Sequence, residues 1–246
     1  MIAQKVRFYM MRIKYEPLPL IFINSLKLIH ISIDPFFLYS EGLRHAPSYL
    51  SNPPQKGIDI RLLDKNDMKY LVAFGDRDAS LSLYNKRIDN GEICLGALIQ
   101  GQIIAFTWAN LNQFSFKSYT FPLASSEAYL HDAYTSIEYR GKKIAGYLRY
   151  KLYEKLADLG RYMLYSITIQ YNKPALRYKE KIGAYKVDSG TLVNIWGMDI
   201  GSKPNPIKLR KNFESNKKAA DGNDFSERNE RSDFNETMPA KTSHNR

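Results

Sequence analysis

The stretch YTSIEYRGKKIAGYLRYKLYEKLADL, residues 134–159, reads as a strand running into a basic, glycine-punctuated turn and then into an amphipathic helix. Upstream of the turn, Tyr129, Leu130, Ala133 and Ile137 are apolar enough for a buried strand. From Ala145 the apolar residues recur at Leu148, Leu152, Leu156 and Leu159, a helical spacing that turns one face to a core, and Gly160 is the expected stop. The first amides of a helix lack partners and sit at the positive end of its dipole, so a helix start set among small and basic residues suits an anion, a phosphate above all. Many strand-to-helix turns carry Arg-Gly only to cap and solubilise, so the turn needs support from elsewhere in the chain.

Support comes from a second stretch. Tyr162 to Gln170 is β-rich, and Asn172-Lys173-Pro174-Ala175-Leu176-Arg177-Tyr178-Lys179-Glu180-Lys181-Ile182-Gly183 follows it. Asn172 is a capping residue, Pro174 suits a first helical turn, and Gly183 closes a short helix. The two stretches together resemble the GNAT acyltransferase superfamily, whose members show a V-x-P-x-Y-R-G-x-G-x-G/A turn and then an N-x-x-A-x-x-x-Y-E-K-x-G-F helix. Here these are Thr135 to Ala145 and Asn172 to Ala184, and the resemblance runs from about Gly57 to Gly197. Two departures stand out. Lys143 occupies a usual glycine position, and Lys179 occupies the usual tyrosine position, with Tyr178 one place early.

The resemblance implies a mixed α/β fold, a mainly antiparallel sheet of about six to seven strands flanked by about four helices. It implies that the strand around Glu127 to Thr135 splays from the strand around Tyr162 to Thr168. Acetyl-coenzyme A, or another acyl-coenzyme A, would then lie in the opening as co-substrate, its pantetheine arm beside Tyr134 and Thr135 and near Asn172. Its pyrophosphate would rest on the turn formed by Arg140, Gly141, Lys142, Lys143, Ile144, Ala145 and Gly146. The partner would be a primary amine. For a base, His131 and Asp132 are candidates beside Glu127, and strand alternation sends His131 and Asp132 to opposite faces. A water relay with no dedicated residue stays open. For the leaving thiolate, Tyr178 or Lys179 is the candidate acid, against the plain reading that Tyr178 is core and Lys179 solvated.

Outside these motifs the chain is read by composition. At 246 residues and +11 formal charge it suits one ordinary domain with extensions and phosphate-rich partners, which keeps open a non-catalytic module that binds phosphates or RNA. A transferase drawing its acyl group from a charged tRNA is a third reading. Cys94 is the single cysteine, so no internal disulfide or Cys-rich zinc site exists, no metal is expected, and a reducing cytoplasm is the expected compartment. Residues 1–52 read as a β-rich N-terminal extension. Leu18 to Leu38 is interrupted by Asn24, Lys27, His30 and Asp34 and makes neither a membrane span nor a signal peptide. Residues 57–200 form the acyltransferase-like domain, with a tight hairpin at Gln100-Gly101 and a terminal hairpin around Asp188-Ser189-Gly190. Residues 201–246 are too polar to bury a core and read as a disordered tail. No Gly-x-Gly-x-x-Gly follows the first strand, which argues against a dinucleotide-binding fold.

Overall fold

The computed structural model describes residues 29–74 and 79–204, together with Leu26, Arg210, Lys211 and Ser215. Residues 1–204 form one compact unit and 205–246 a second. Expectations for the first 25 residues and for nearly all of 201–246 lie outside the described residues.

The elements of the first unit are β1 (Ile31–Glu41), β2 (Ile58–Leu62), α1 (Met68–Val72), α2 (Leu81–Asp89), β3 (Ile93–Ile99), β4 (Gln102–Asn110), β5 (Gln113–Phe116), β6 (Tyr119–Pro122), β7 (Glu127–Thr135), α3 (Ile144–Asp158), β8 (Met163–Ile169), α4 (Lys173–Lys181), β9 (Tyr185–Ile195) and β10 (Met198–Gly201). Eight strands make one sheet in the order β10-β9-β1-β8-β7-β4-β3-β2, and β5 pairs with β6 as a separate hairpin. The fold is mixed α/β with a mainly antiparallel sheet and four helices among the described residues, as the resemblance implies. It is one strand wider than expected.

The extra strand is β1. It pairs with β8 from Phe36 opposite Ile169 to Glu41 opposite Leu164, and with β9 on its other edge, so the N-terminal segment lies inside the main sheet. A correction concerns Gly190. Asp188-Ser189-Gly190 is not a turn, because β9 runs straight through it to Ile195 and the chain reverses at Trp196-Gly197 instead. A Cβ on Gly190 would come within 2.9 Å of the Phe36 ring, so this glycine marks close packing against β1. Gln100 and Gly101 do make the expected tight hairpin, both with positive φ.

Each face of the sheet buries a separate core. On one, Ile144, Leu148, Leu152 and Leu156 of α3 cover Ala97, Ile104, Ala105, Ala109, Ala128, Leu130 and Leu164, the small residues letting the helix lie close. On the other, Met68 and Leu71 of α1 and Tyr84 of α2 cover Cys94, Phe106 and Trp108. The β5–β6 hairpin reaches β7, where Phe114 packs on Tyr129 with ring centroids 4.5 Å apart, and β1, where Lys117 meets Asp34 at 3.1 Å.

Candidate active site at the split between two parallel strands

Strands β7 and β8 are the parallel neighbours in the sheet, and they pair only at Glu127–Met163, Ala128–Leu164 and Tyr129–Tyr165. Past Tyr129 they part. β7 stays with β4 as far as Thr135 opposite Ala105, while β8 stays with β1 as far as Ile169. Each strand follows its other neighbour, and the sheet twist opens a wedge between them.

At the mouth of the wedge lies a cavity of about 670 Å³. One wall is the end of β7 and the start of α3: Thr135, Arg140, Gly141, Lys143, Ile144, Ala145 and Gly146. The facing wall is α4, through Pro174, Arg177, Tyr178, Lys181 and Ile182, and Tyr49 and Leu50 complete the lining with Tyr139. Four lining side chains are cationic and none of the described lining residues is acidic, so the potential is positive throughout. The unpartnered first amides of α3 add to it.

The turn owes its shape to two left-handed residues, Gly141 at φ 79° and Lys143 at φ 62°. Lys143 caps α3 in that conformation, which explains why glycine is usual at this position: a residue with a Cβ pays about 1–2 kcal/mol for it. Lys143→Gly is therefore expected to stabilise the protein by about 0.5–1 kcal/mol after the entropy that glycine adds to the unfolded chain. Urea unfolding measures this, and a destabilised variant would mean that the lysine side chain contributes more than its backbone costs.

Several of the residues picked out by sequence stand elsewhere. Tyr134 points to the other face of the sheet, stacked on Phe106 at 5.8 Å with the Arg140 guanidinium 5.4 Å from its ring. Arg140 Nε also donates to the Thr135 carbonyl at 3.0 Å, tying the turn to the strand end. Lys142 lies over the Tyr139 ring. Asn172 caps α4, its side chain accepting from the Ala175 amide at 3.2 Å. None of Tyr134, Lys142 and Asn172 lines the cavity.

His131 and Asp132 do not take opposite faces. The register of β7 against β4 slips between Phe106 and Trp108, and Asp132 sits at the slip with φ 45°. This bulge lets both side chains reach the same neighbourhood: Asp132 pairs with Arg87 of α2, and His131 Nε2 meets Glu92 just beyond α2 at 2.9 Å. Alternation fails here because it assumes an unbroken pleat.

Tyr178 and Lys179 also part company. Tyr178 lines the cavity, its hydroxyl donating to the Ala145 carbonyl at 3.3 Å and accepting from Arg149 Nε at 3.3 Å. Burial raises its pKa, and the Arg149 charge draws it part of the way back. Lys179 is neither solvated nor in the cavity. Its ammonium is buried against Glu41 of β1 and donates to Ser166 Oγ at 2.6 Å. Burial brings the Lys179 pKa down to about 8 against the pull of Glu41. Sequence reasoning missed Tyr49 and Leu50, which carry no local signal. It missed Arg177 and Lys181 as well, although with Pro174 and Tyr178 they recur at helical spacing on one side of α4.

The model of the acetyltransferase (GNAT) family matches residues 60–184, half of the chain. The chain belongs to the GNAT acetyltransferase family. No curated protein matches it. Among solved structures it is similar to a Drosophila protein at 14% identity and TM-score 0.49, covering 68% of this chain and 52% of that one. It is similar also to a GNAT-family acetyltransferase from Colwellia psychrerythraea at 15% identity and TM-score 0.48, covering 67% and 57%. A third similar structure is the PaiA N-acetyltransferase of Thermoplasma acidophilum in complex with coenzyme A, at 17% identity and TM-score 0.41, covering 50% and 87%. The chain thus spans little more than half the length of the first two. The GNAT-family match begins after β1, so the strand that supplies Glu41 lies outside it. No described helix is long and apolar enough to cross a membrane. Among the described residues no group of three or more His, Cys, Asp or Glu side chains is placed to hold a metal ion.

Proposed function

We propose that the protein is an N-acyltransferase that moves an acetyl or similar acyl group from acyl-coenzyme A to a primary amine. The observation that carries this reading is the wedge between β7 and β8 with the basic, amide-rich cavity at its mouth. The donor is a substrate whose phosphates suit Lys143, Arg140 and the α3 amides, while its extended arm suits the wedge beside β7. Main-chain amides along that strand are the donors available to the carbonyl oxygen as it becomes an oxyanion.

The transfer needs a proton removed from the amine and one delivered to the departing thiolate. Tyr178 is the acid in this reading, because it lines the cavity and Lys179 does not. His131, seated beside Glu92, is the nearer fit for the base, since the Asp132 carboxylate is engaged by Arg87. Cytoplasmic placement is part of the same proposal, in keeping with a lone, buried thiol at Cys94.

Titration with acetyl-coenzyme A and assay of thiol release against a panel of primary amines tests the reading. Donor binding in the micromolar range is expected, with a stabilisation of about 2.7 kcal/mol at a hundredfold excess over Kd. Tyr178→Phe is expected to lower turnover at saturating donor by about 100-fold with donor affinity kept. Unchanged turnover would remove Tyr178 from the chemistry. Salt-dependent RNA binding with no donor affinity would replace the enzyme by a phosphate-binding module.

A further inference from the structure

Behind the cavity wall lies a buried polar cluster drawn from four elements. Glu41 at the end of β1 accepts from Tyr153 Oη of α3 at 2.6 Å, from Ser166 Oγ of β8, and from Lys179 Nζ of α4. Arg149 of α3 completes it, with Nε 3.6 Å from the Glu41 carboxylate and 3.3 Å from the Tyr178 hydroxyl. Glu41, Arg149 and Lys179 are all at most 4% exposed. A cluster of two cations and one anion is a costly thing to bury, and Arg149 Nη1 has no hydrogen-bond partner among the described residues. Packing alone does not account for a guanidinium here, since the neighbouring positions of α3 are Leu148, Leu152 and Tyr153.

We propose that Arg149, anchored by Glu41, is a positioning residue for Tyr178, fixing its hydroxyl and stabilising the phenolate formed when it protonates the leaving thiolate. The proposal rests on the acyltransferase reading above. In the resting arrangement the Tyr178 proton points at the Ala145 carbonyl, and the Arg149 N–H occupies a lone pair on the same oxygen. When a thiolate arrives, the Tyr178 O–H bond breaks and an S–H bond forms. The charge left on oxygen faces the guanidinium, and the proton shed by the attacking amine returns through solvent to restore the phenol. The groups that face this oxygen are Arg149 and Tyr153 from α3, Glu41 from β1, and the adjoining Lys179 of α4. Arg149 is the cation whose N–H bonds to it, and its charge opposes the rise that burial imposes on the phenol. Glu41 comes from a strand outside the family match, so the N-terminal segment reaches the chemistry through Arg149.

The test is a double-mutant cycle between Arg149→Met and Tyr178→Phe, read as turnover at saturating acetyl-coenzyme A with the fastest amine of the panel. Arg149→Met is expected to cost about tenfold or more in the Tyr178 background and nothing in the Tyr178→Phe background, with donor Kd unchanged. An equal loss in both backgrounds would make the arginine merely structural and overturn the proposal. Should Arg149→Met fail to fold, Arg149→Lys keeps the charge toward Glu41 while losing the Nε–H. The same cycle with it is expected to show a smaller loss confined to the Tyr178 background. A wild-type protein that releases no thiol would sink the acyltransferase reading itself. An active wild type with a slow Tyr178→Phe and an additive cycle would sink this inference alone.

Discussion

Glu41→Gln is expected to destabilise the protein by about 3–5 kcal/mol at pH 7, because it strands two buried cations. For a unit of this size that is a fall in Tm of about 10 °C or more. Burial by itself would raise the Glu41 carboxyl, but Lys179 and Arg149 outweigh it and hold its pKa down at about 2, against an ordinary value of 4.5. A carboxylate whose folded pKa is depressed stabilises the fold above its unfolded pKa and loses that contribution as pH falls through the folded value. The shift corresponds to about 3 kcal/mol. The gap between wild type and Glu41→Gln should therefore be full above pH 4.5, narrow below it and close near pH 2. Lys179 sets a further check. Its folded pKa of about 8 lies below the ordinary 10.5, so the charged form is the one that burial penalises, and removing it removes a penalty. Glu41→Gln with Lys179→Met should accordingly recover about 2 kcal/mol of the single variant's loss, since one of the stranded cations is gone. Urea unfolding of the three proteins from pH 7 down to pH 2 measures all of this. A Glu41→Gln protein as stable as wild type at pH 7 would show that the cluster is hydrated and the pairing weak.

This cluster also marks where the sequence stops being readable. The turn between β7 and α3 was legible because each signal in it is local: a glycine that needs φ 79°, a helical apolar stripe, a stop at Gly160. The split of β7 from β8 was implied by the family that the two motifs resemble. What failed was long-range. Lys179 could be read as solvated, because the carboxylate that it and Arg149 meet stands on β1, more than a hundred residues away in the chain. Residues 1–52 read only as β-rich, and it is the pairing with β8 and β9 that puts β1 in the sheet interior. Gly190 looked like a turn because glycine has two uses in strands, and the close approach of Phe36 that selects the other use is again a β1 contact. His131 and Asp132 were assigned to opposite faces by a rule that a single bulge cancels. Except for the bulge, each of these misreadings involves the N-terminal segment, which binds the domain together without carrying a motif of its own.

That segment makes a second contact with the family motifs, and the largest backbone effect is expected there. Gly183, the glycine of the second motif, has φ 72°, and a Cβ on it would sit 2.0 Å from the His45 carbonyl oxygen and 3.2 Å from Pro47. The obstacle is main chain, so it cannot be relieved by a rotamer change. Gly183→Ala must push residues 45–47 off α4 besides adopting a left-handed backbone, and a loss above about 3 kcal/mol is expected. Gly160→Ala isolates the two costs: its φ is 71° and nothing lies within 4 Å of the added carbon, so it should lose only about 1 kcal/mol. The displaced segment also carries Leu50, packed over Gly146 at the start of α3, and Tyr49, whose hydroxyl donates to the Lys181 carbonyl at 2.9 Å. Both line the cavity at the start of α3. Gly183→Ala is therefore expected to weaken acetyl-coenzyme A binding about tenfold or more, while Gly160→Ala leaves it unchanged. Equal losses of stability and affinity in the two variants would mean that residues 42–51 only rest against the domain. A selective loss in Gly183→Ala means that the segment before the family domain forms a wall of its donor site.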